Sequence, residues 1–388
     1  MTNPGALVIG ADYRALGVVR SLGRRGVPVW VLRGGDDRLA GWSRYAQRTL
    51  ELADGADFLL ELADRHGLDG WTLFPSADET AAMVAREHAR LSARYLLTTP
   101  PWSVTQYAYD KRLTYPLAQE LGLDVPQTWY PRTRDDVAAL ACTFPVVLKP
   151  AVKDGFNRLT AAKAWRVDSR DELIARYDEA CTLVDPSTLM VQELVPGNGR
   201  SQLSYAAICD HGRPLAALTA LRVRQYPMDF GRASTYVETA DFPEAAAPAR
   251  ALLEKLRFTG LVEVEFKRDD RDGRCKLLDV NPRVWGWHTL CARAGIDFAY
   301  LAWRLARGDP VGAGPARIGV RWTRLSTDLP TVAQEIRGRR LTLRQYLRSL
   351  RGPRERAIFA LDDPVPGLVE LPLLCSVLAR RLRRGDGV

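Results

Sequence analysis

The stretch that most limits how this 388-residue chain can fold is Leu261 to Trp285, LVEVEFKRDDRDGRCKLLDVNPRVW. Val262, Val264 and Phe266 alternate with Glu263, Glu265 and Lys267, the period of two that gives a strand one apolar and one polar face. A second strand follows, in which Lys276, Leu278 and Val280 alternate with Leu277, Asp279 and Asn281. Glu265, Asp279 and Asn281 serve one site only if Glu265 lies opposite Asp279, because a slip of one residue would split the cluster across the sheet. That pairing predicts an odd number of residues in the connecting loop. Arg271-Asp272-Gly273 suits a three-residue turn closed by a glycine in the left-handed conformation. Two carboxylates and an amide oxygen on neighbouring strands suit Mg²⁺, a hard cation held by one or two carboxylates with water and phosphate oxygens completing its shell. Arg283, two residues on, can meet a phosphate or carboxylate with both arms of its guanidinium. A solvated hairpin face would also carry alternating acids. Asn281 and Pro282, which close the strand just as an arginine enters, favour the site.

A chain of this length, 46% hydrophobic and 26% charged, holds two or three domains with cores of their own. The six cysteines and four histidines are scattered without a close pair, which argues against zinc, disulfides and secretion. MTNPGALVIGADYR passes straight into a strand without a basic region and a long apolar core. Neither a signal peptide nor a membrane span is expected, and a cytoplasmic location is. The formal charge of +9 is uneven: residues 317–388 carry 15 arginines and 7 acids, which leaves 40 basic and 39 acidic residues before them. The high pI thus describes a tail, and no nucleic-acid partner is expected.

Taken in order, ALVIG at 6–10, a helical stretch and VPVWVL at 27–32 open a parallel α/β unit. Gly10 to Gly17 lacks the spacing of a dinucleotide loop, so a nicotinamide cofactor is not expected. Strands are predicted at 47–52 and 71–75, and helices at 56–68 and 77–92. Asp78 and Glu79 follow a strand end, where both a ligand crevice and helix capping by Ser76 and Asp78 are consistent with the sequence. A helix running from 105 to near Gly122 carries Asp110-Lys111, which also reads as a surface lysine. FPVVLKP at 144–150 delivers Lys149 at the end of a buried strand, where it needs an anionic partner. STLMVQELVPG at 187–197 is a strand broken at Pro-Gly. Arg222 and Arg224 lie two apart on one strand with Arg232 nearby, and both anion recognition and ion pairs with surface acids fit them. Asp229-Phe230-Gly231 reads as a turn, since no other kinase motif accompanies it. The tryptophans of Trp285-Gly286-Trp287 are expected in a core.

These motifs, in this order, resemble the ATP-grasp superfamily, whose metal strands end in an acid, any residue and asparagine, often followed by Pro-Arg. Asp279-Val280-Asn281-Pro282-Arg283 matches, with aspartate where glutamate is commoner, and Glu265 in Val-Glu-Phe matches the other metal-bearing acid. RVRQYPMDFG and KLLDVNPR look similar to the carbamoyl-phosphate-synthase-like branch that includes D-aspartate ligase. The resemblance covers about residues 1–308. It implies mixed α/β and α+β architecture: an N-terminal Rossmann-like pre-ATP-grasp domain (1–104), a small lobe (105–190), a large lobe with the metal site (191–312) and a basic helical C-terminal extension (313–388).

By the same resemblance Lys111 begins the ATP site and Lys149 holds the α- and β-phosphates. Lys163 faces the nucleotide or the solvent. Gln192, Glu193 and Val195 form the hinge that reads adenine and ribose, and KDGFNR at 153–158 occupies the place of the glycine-rich phosphate loop. Glu265, Asp279 and Asn281 would hold one or two Mg²⁺, for which Mn²⁺ could substitute. Arg283 would stabilise the transferring phosphoryl group, and Arg222 or Arg224 would hold a substrate carboxylate. The implied reaction joins a small-molecule carboxylate to an amine through an acyl phosphate, with release of ADP and phosphate. A nucleotide-binding protein that has lost ligase chemistry is the alternative. Leu371, Leu374, Leu378 and Leu382 form an apolar stripe beside Arg380, Arg381, Arg383 and Arg384, a pattern that fits both a helix docked on the body and peripheral contact with an anionic membrane.

Overall fold

The computed structural model describes residues 4–35, 37–53, 55–153, 164–197, 199–226, 228, 231 and 233–373. Three sheets organise them. The first is parallel, in the order β3-β2-β1-β4-β5, built from β1 (Ala6–Ile9), β2 (Val29–Arg33), β3 (Arg48–Glu51), β4 (Thr72–Pro75) and β5 (Leu96–Leu97). Its central strands are buried throughout, as expected of a parallel sheet covered on both faces. The second sheet is antiparallel, in the order β6-β9-β7-β8, from β6 (Thr128–Trp129), β7 (Val146–Pro150), β8 (Trp165–Val167) and β9 (Leu189–Glu193). The third has the order β14-β13-β10-β11-β12-β15-β16. It comprises β10 (Gln202–Asp210), β11 (Arg213–Tyr226), β12 (Ala233–Thr239), β13 (Gly260–Arg268), β14 (Cys275–Asn281), β15 (Arg321–Thr323) and β16 (Arg354–Arg356).

The first and third sheets share one core, in which Val18 and Val19 of the helix Tyr13–Gly23 meet Trp285, Trp287 and Phe298. The tryptophans are buried, as the sequence led us to expect. Close approach requires Gly17 here, since a Cβ at this position would fall 2.4 Å from His288 Nε2. That imidazole lies 3.0 Å from the Arg14 carbonyl, and burial lowers its pKa. The helix itself starts because Asp12 accepts from the amides of Arg14 and Ala15 at 2.9 and 3.1 Å.

Two sequence expectations change in detail. The single helix from 105 divides at Asp110 into Trp102–Tyr109 and Lys111–Glu120. Asp110 caps the second helix and bridges Val152, so Lys111 becomes a first-turn residue turned towards β14. Ser76 does not cap a helix. It is buried and donates to the Ile9 carbonyl at 3.0 Å, tying the ends of β1 and β4.

The segment after 313 is woven into the body. It adds β15 and β16 to the edge of the large sheet and continues into the helices Leu325–Arg337 and Leu343–Ser349. Asp363 is buried and accepts from Arg20 Nε at 2.8 Å and Ser43 Oγ at 2.7 Å. Glu370 accepts from Ser326, and Val369 and Leu373 pack on the shared core. Of the C-terminal stripe, Leu371 is exposed, while Leu374, Leu378, Leu382 and the four arginines lie outside the described residues. Among the described residues no helix is long and apolar enough to cross a membrane.

Candidate active site

The hairpin brings the acids together, by a route different from the one expected. Glu265 pairs with Asp279 and Glu263 with Asn281. The connecting loop is not of odd length: Asp269 N donates to the Arg274 carbonyl at 2.8 Å, which leaves four residues between them, with Gly273 at φ 75°. Parity is restored by a bulge, because Phe266 pairs with Leu277 and Leu278 is left over. The bulge is held from both sides. Tyr115 Oη donates to the Leu278 carbonyl at 3.0 Å, and Leu277 N donates to the Asp124 carbonyl at 2.8 Å.

Around this register the side chains form a continuous charge network. Asp279 Oδ1 lies 3.0 Å from the ammonium of Lys111 and 3.0 Å from that of Lys153. Asn281 donates through Nδ2 to Glu265 at 2.9 Å and to Glu263 at 3.2 Å, and its Oδ1 accepts from Lys153 at 2.9 Å. Arg222 on β11, buried, donates to the other oxygen of Glu265. Glu263 is a third acid on this face. It accepts from Ser204 Oγ at 3.0 Å and Trp287 Nε1 at 2.9 Å, and burial together with the neighbouring Glu265 charge pushes its pKa up to about 7. Arg283 grips Asp78 with both arms, at 3.0 and 2.6 Å. Burial works against the Asp78 charge, yet Arg283 and Lys153 hold its pKa well below the ordinary carboxylate range.

Apart from Glu263 and its partners Ser204 and Trp287, these groups line a cleft of about 1470 Å³ between the second and third sheets, which also takes in Lys149, Gln192, Glu193 and Val195. Lys149 stands on β7, half-buried. Gln192 Nε2 donates to Thr128 Oγ1 at 2.9 Å. Glu193 accepts from Lys276, from Arg271 at 2.9 Å and from the Gln127 amide at 3.0 Å. Burial opposes its ionisation, but the bonds from Lys276 and Arg271 keep it below the usual range. Glu193 is therefore tied to the hairpin of β13 and β14.

Arg224 does not line the cleft. β11 is irregular on either side of it, and its guanidinium makes a paired contact with buried Asp328 at 2.7 and 2.9 Å while lying 4.2 Å from the Tyr236 ring centre. Lys163 and Arg232 lie outside the described residues, as do residues 154–158 of the expected phosphate loop. Sequence reasoning gave Lys153 only as the start of the phosphate loop, left Asp78 between a ligand crevice and helix capping, and gave Glu263 no role in the site. Lysine scarcity was the available signal for the first, since four of the seven lysines fall between 111 and 163.

The donor set fits a hard divalent cation. Two carboxylates face each other across the strand pair with an amide oxygen beside them, and the open cleft leaves room for phosphate and water oxygens. Among the described residues, no group of three or more His, Cys, Asp or Glu side chains could hold a metal by itself. Phosphate ligands would be needed to complete its shell.

Residues 185–327 match the family model described as ATP-grasp in the biosynthetic pathway with Ter operon. That part of the chain is similar to the ATP-grasp family. The match begins just before β9 and ends within the helix Leu325–Arg337, so it contains the whole hairpin of β13 and β14. Over 226 residues the chain is 24% identical to a D-aspartate ligase of Enterococcus faecium (strain Aus0004), covering 55% of this chain and 53% of the ligase. The chain thus spans about half the length of that relative. Among solved structures, the biotin carboxylase domain of Hydrogenobacter thermophilus 2-oxoglutarate carboxylase, in complex with MgADP, ADP and bicarbonate, superposes with a TM-score of 0.64 at 14% identity, over 82% of this chain and 74% of that one. The L-amino acid ligase from Bacillus licheniformis gives 0.61 at 17% identity, over 79% and 75%. Both share the fold described above.

Proposed function

We propose that this protein is an ATP- and Mg²⁺-dependent carboxylate–amine ligase that forms an amide through an acyl phosphate and releases ADP and phosphate. The observation that carries this reading is the bulged register that sets Glu265 opposite Asp279 with Asn281 beside them on the wall of the cleft. The D-aspartate ligase match is in keeping with it. The division into a pre-ATP-grasp unit, two lobes and a C-terminal extension at about 104, 190 and 312 belongs to the same proposal.

Mg²⁺ bound with ATP would supply charge neutralisation for phosphoryl transfer to the substrate carboxylate. Glu265, Asp279 and Asn281 would hold it. Lys111 and Lys149 neutralise the remaining phosphate charge, and Gln192, Glu193 and Val195 border the base. Arg283, kept in place by Asp78, presents a guanidinium where the phosphoryl group is transferred. Arg222 positions Glu265 and marks the substrate side of the cleft. The carboxylate oxygen gains the phosphoryl group and ADP leaves. The neutral amine then attacks the acyl carbon, phosphate departs and the nitrogen loses a proton. The chain's part is orientation and charge stabilisation, which suits an amine needing no dedicated base.

An ADP-release screen over amino acids, small carboxylic acids and their pairs tests this. ADP that appears only with Mg²⁺ and with both a carboxylate and an amine is the expected result. AMP and pyrophosphate as products would overturn it.

A further inference from the structure

Lys153 occupies the oxygens that the ligase reading gives to the metal. Its ammonium donates to the Val280 carbonyl at 2.6 Å and to Asn281 Oδ1 at 2.9 Å, and lies 3.0 Å from Asp279 Oδ1, with Asp78 at 3.8 Å. An ammonium has three protons, and three oxygens stand within bonding distance. The arrangement is built by the backbone. Lys153 N donates to the Tyr109 carbonyl at 3.0 Å and Val152 bridges Asp110, which fixes the residue beside the start of the helix that carries Lys111. The side chain is only 12% exposed, so this is no loose surface contact.

An ammonium on these oxygens competes with a divalent metal: it takes up one lone pair each of Asp279 Oδ1 and Asn281 Oδ1 and sets a positive charge beside the place the metal would take, while Mg²⁺ draws its ligands in to about 2.0–2.1 Å, closer than an N–H···O bond. Resting on the ligase reading, we propose that Lys153 is a resident counter-ion of the metal site: it holds Asp279 and Asn281 in ligating position before nucleotide arrives, and gives them up when metal and nucleotide enter together. Lys111 plays a different part, for its ammonium reaches Asp279 and not Asn281. The metal affinity of the nucleotide-free protein is then reduced by the fraction of time Lys153 spends on those oxygens. Phosphates that draw the ammonium away raise that affinity, which makes metal and nucleotide binding mutually supportive.

Mn²⁺ titrated into the nucleotide-free, full-length protein, followed by calorimetry, tests the proposal. Lys153→Met should bind Mn²⁺ about tenfold more tightly than wild type, since an oxygen set occupied by Lys153 ten times as often as it is free is opened by its removal. A merely structural role would produce a loss instead of a gain. Lys153→Gln, which keeps a polar end without charge, should show the same gain and stands in if the methionine variant folds poorly. Affinity unchanged, weakened or undetectable in both variants overturns the proposal, as does an equal gain in Lys111→Met, which would mean general repulsion only. Tight Mn²⁺ binding that survives Asp279→Asn in the Lys153→Met background would remove the metal assignment itself, and this proposal with it.

Discussion

Two sets of buried ion pairs hold this protein together, and they are built differently. In the cleft, Asp279 shares one oxygen between two lysines, and those side chains keep 12–14% of their surface. Where the C-terminal segment meets the body, arginines pair with acids that are almost fully enclosed: Arg224 with Asp328 at 6% and 0% exposure, and Arg20 with Asp363 at 6% and 1%. A lysine is a compact charge on a flexible stem, whereas the arginine fork fixes geometry through several bonds at once. Arg20 shows this, reaching Asp363 and the Ile358 and Asp363 carbonyls together. On the function proposed above, the cleft pairs exchange with a ligand. Those of the C-terminal segment are arranged to stay.

The largest expected effects break the fixed set. Asp328→Ala leaves Arg224 buried beside Thr235 without its acid, and Arg20→Ala strands Asp363. Each should lower stability by roughly 3–5 kcal/mol, since removing one partner of a buried pair leaves an uncompensated charge. Denaturant unfolding measures it, and a loss below about 1 kcal/mol, typical of exposed pairs, would show that these contacts are exchangeable too. The opposite pattern is expected in the cleft. Asp279→Asn should lower turnover by at least about a hundredfold, more than a loss of a residue merely supporting a metal ligand, with a nearly unchanged melting temperature. Wild-type turnover would remove Asp279 from the site.

Part of the cleft was readable in the sequence, while the enclosed pairs of the C-terminal segment were not, and the misreadings have physical causes. Alternation placed Glu265 and Asp279 on one face, and the pairing is there, yet loop chemistry could not reveal that the extra residue is Leu278 in a bulge. A bulge depends on what fills it, here the Tyr115 hydroxyl from a helix some 160 residues earlier in the chain. Arg222 and Arg224 looked equivalent because spacing is all a sequence offers. Their fates are set by Glu265 on one side and Asp328 on the other, partners 43 and 104 residues away. Glu193 was expected at a hinge by resemblance alone, and its bonds to Arg271 and Lys276 come from the hairpin and not from its own strand.

A smaller effect sharpens the comparison on the cleft side. Lys149→Met should weaken ATP binding about tenfold, the scale of one charge-assisted hydrogen bond to phosphate, without the stability loss of the buried arginine variants. Calorimetric titration with ATP checks it, and unchanged affinity would count against a phosphate role for this lysine.

The smallest effect is expected at Arg24, one helical turn beyond Arg20. Arg24 holds Asp362 with two bonds of 2.8 Å, a geometry as good as that of its buried neighbour. Its environment is different: Arg24 and Asp362 keep 42% and 44% of their side-chain surface, so water and salt screen the attraction and receive either partner if the other is lost. Arg24→Ala should therefore cost less than about 1 kcal/mol, and the loss should shrink further as salt is raised. Arg20→Ala should be nearly insensitive to salt, because its partner is enclosed. Unfolding both variants at low and high salt measures the contrast. Equal losses with equal salt dependence would mean that docking of the C-terminal segment is governed by bond geometry alone, and that burial does not separate the fixed pairs from the exchangeable ones.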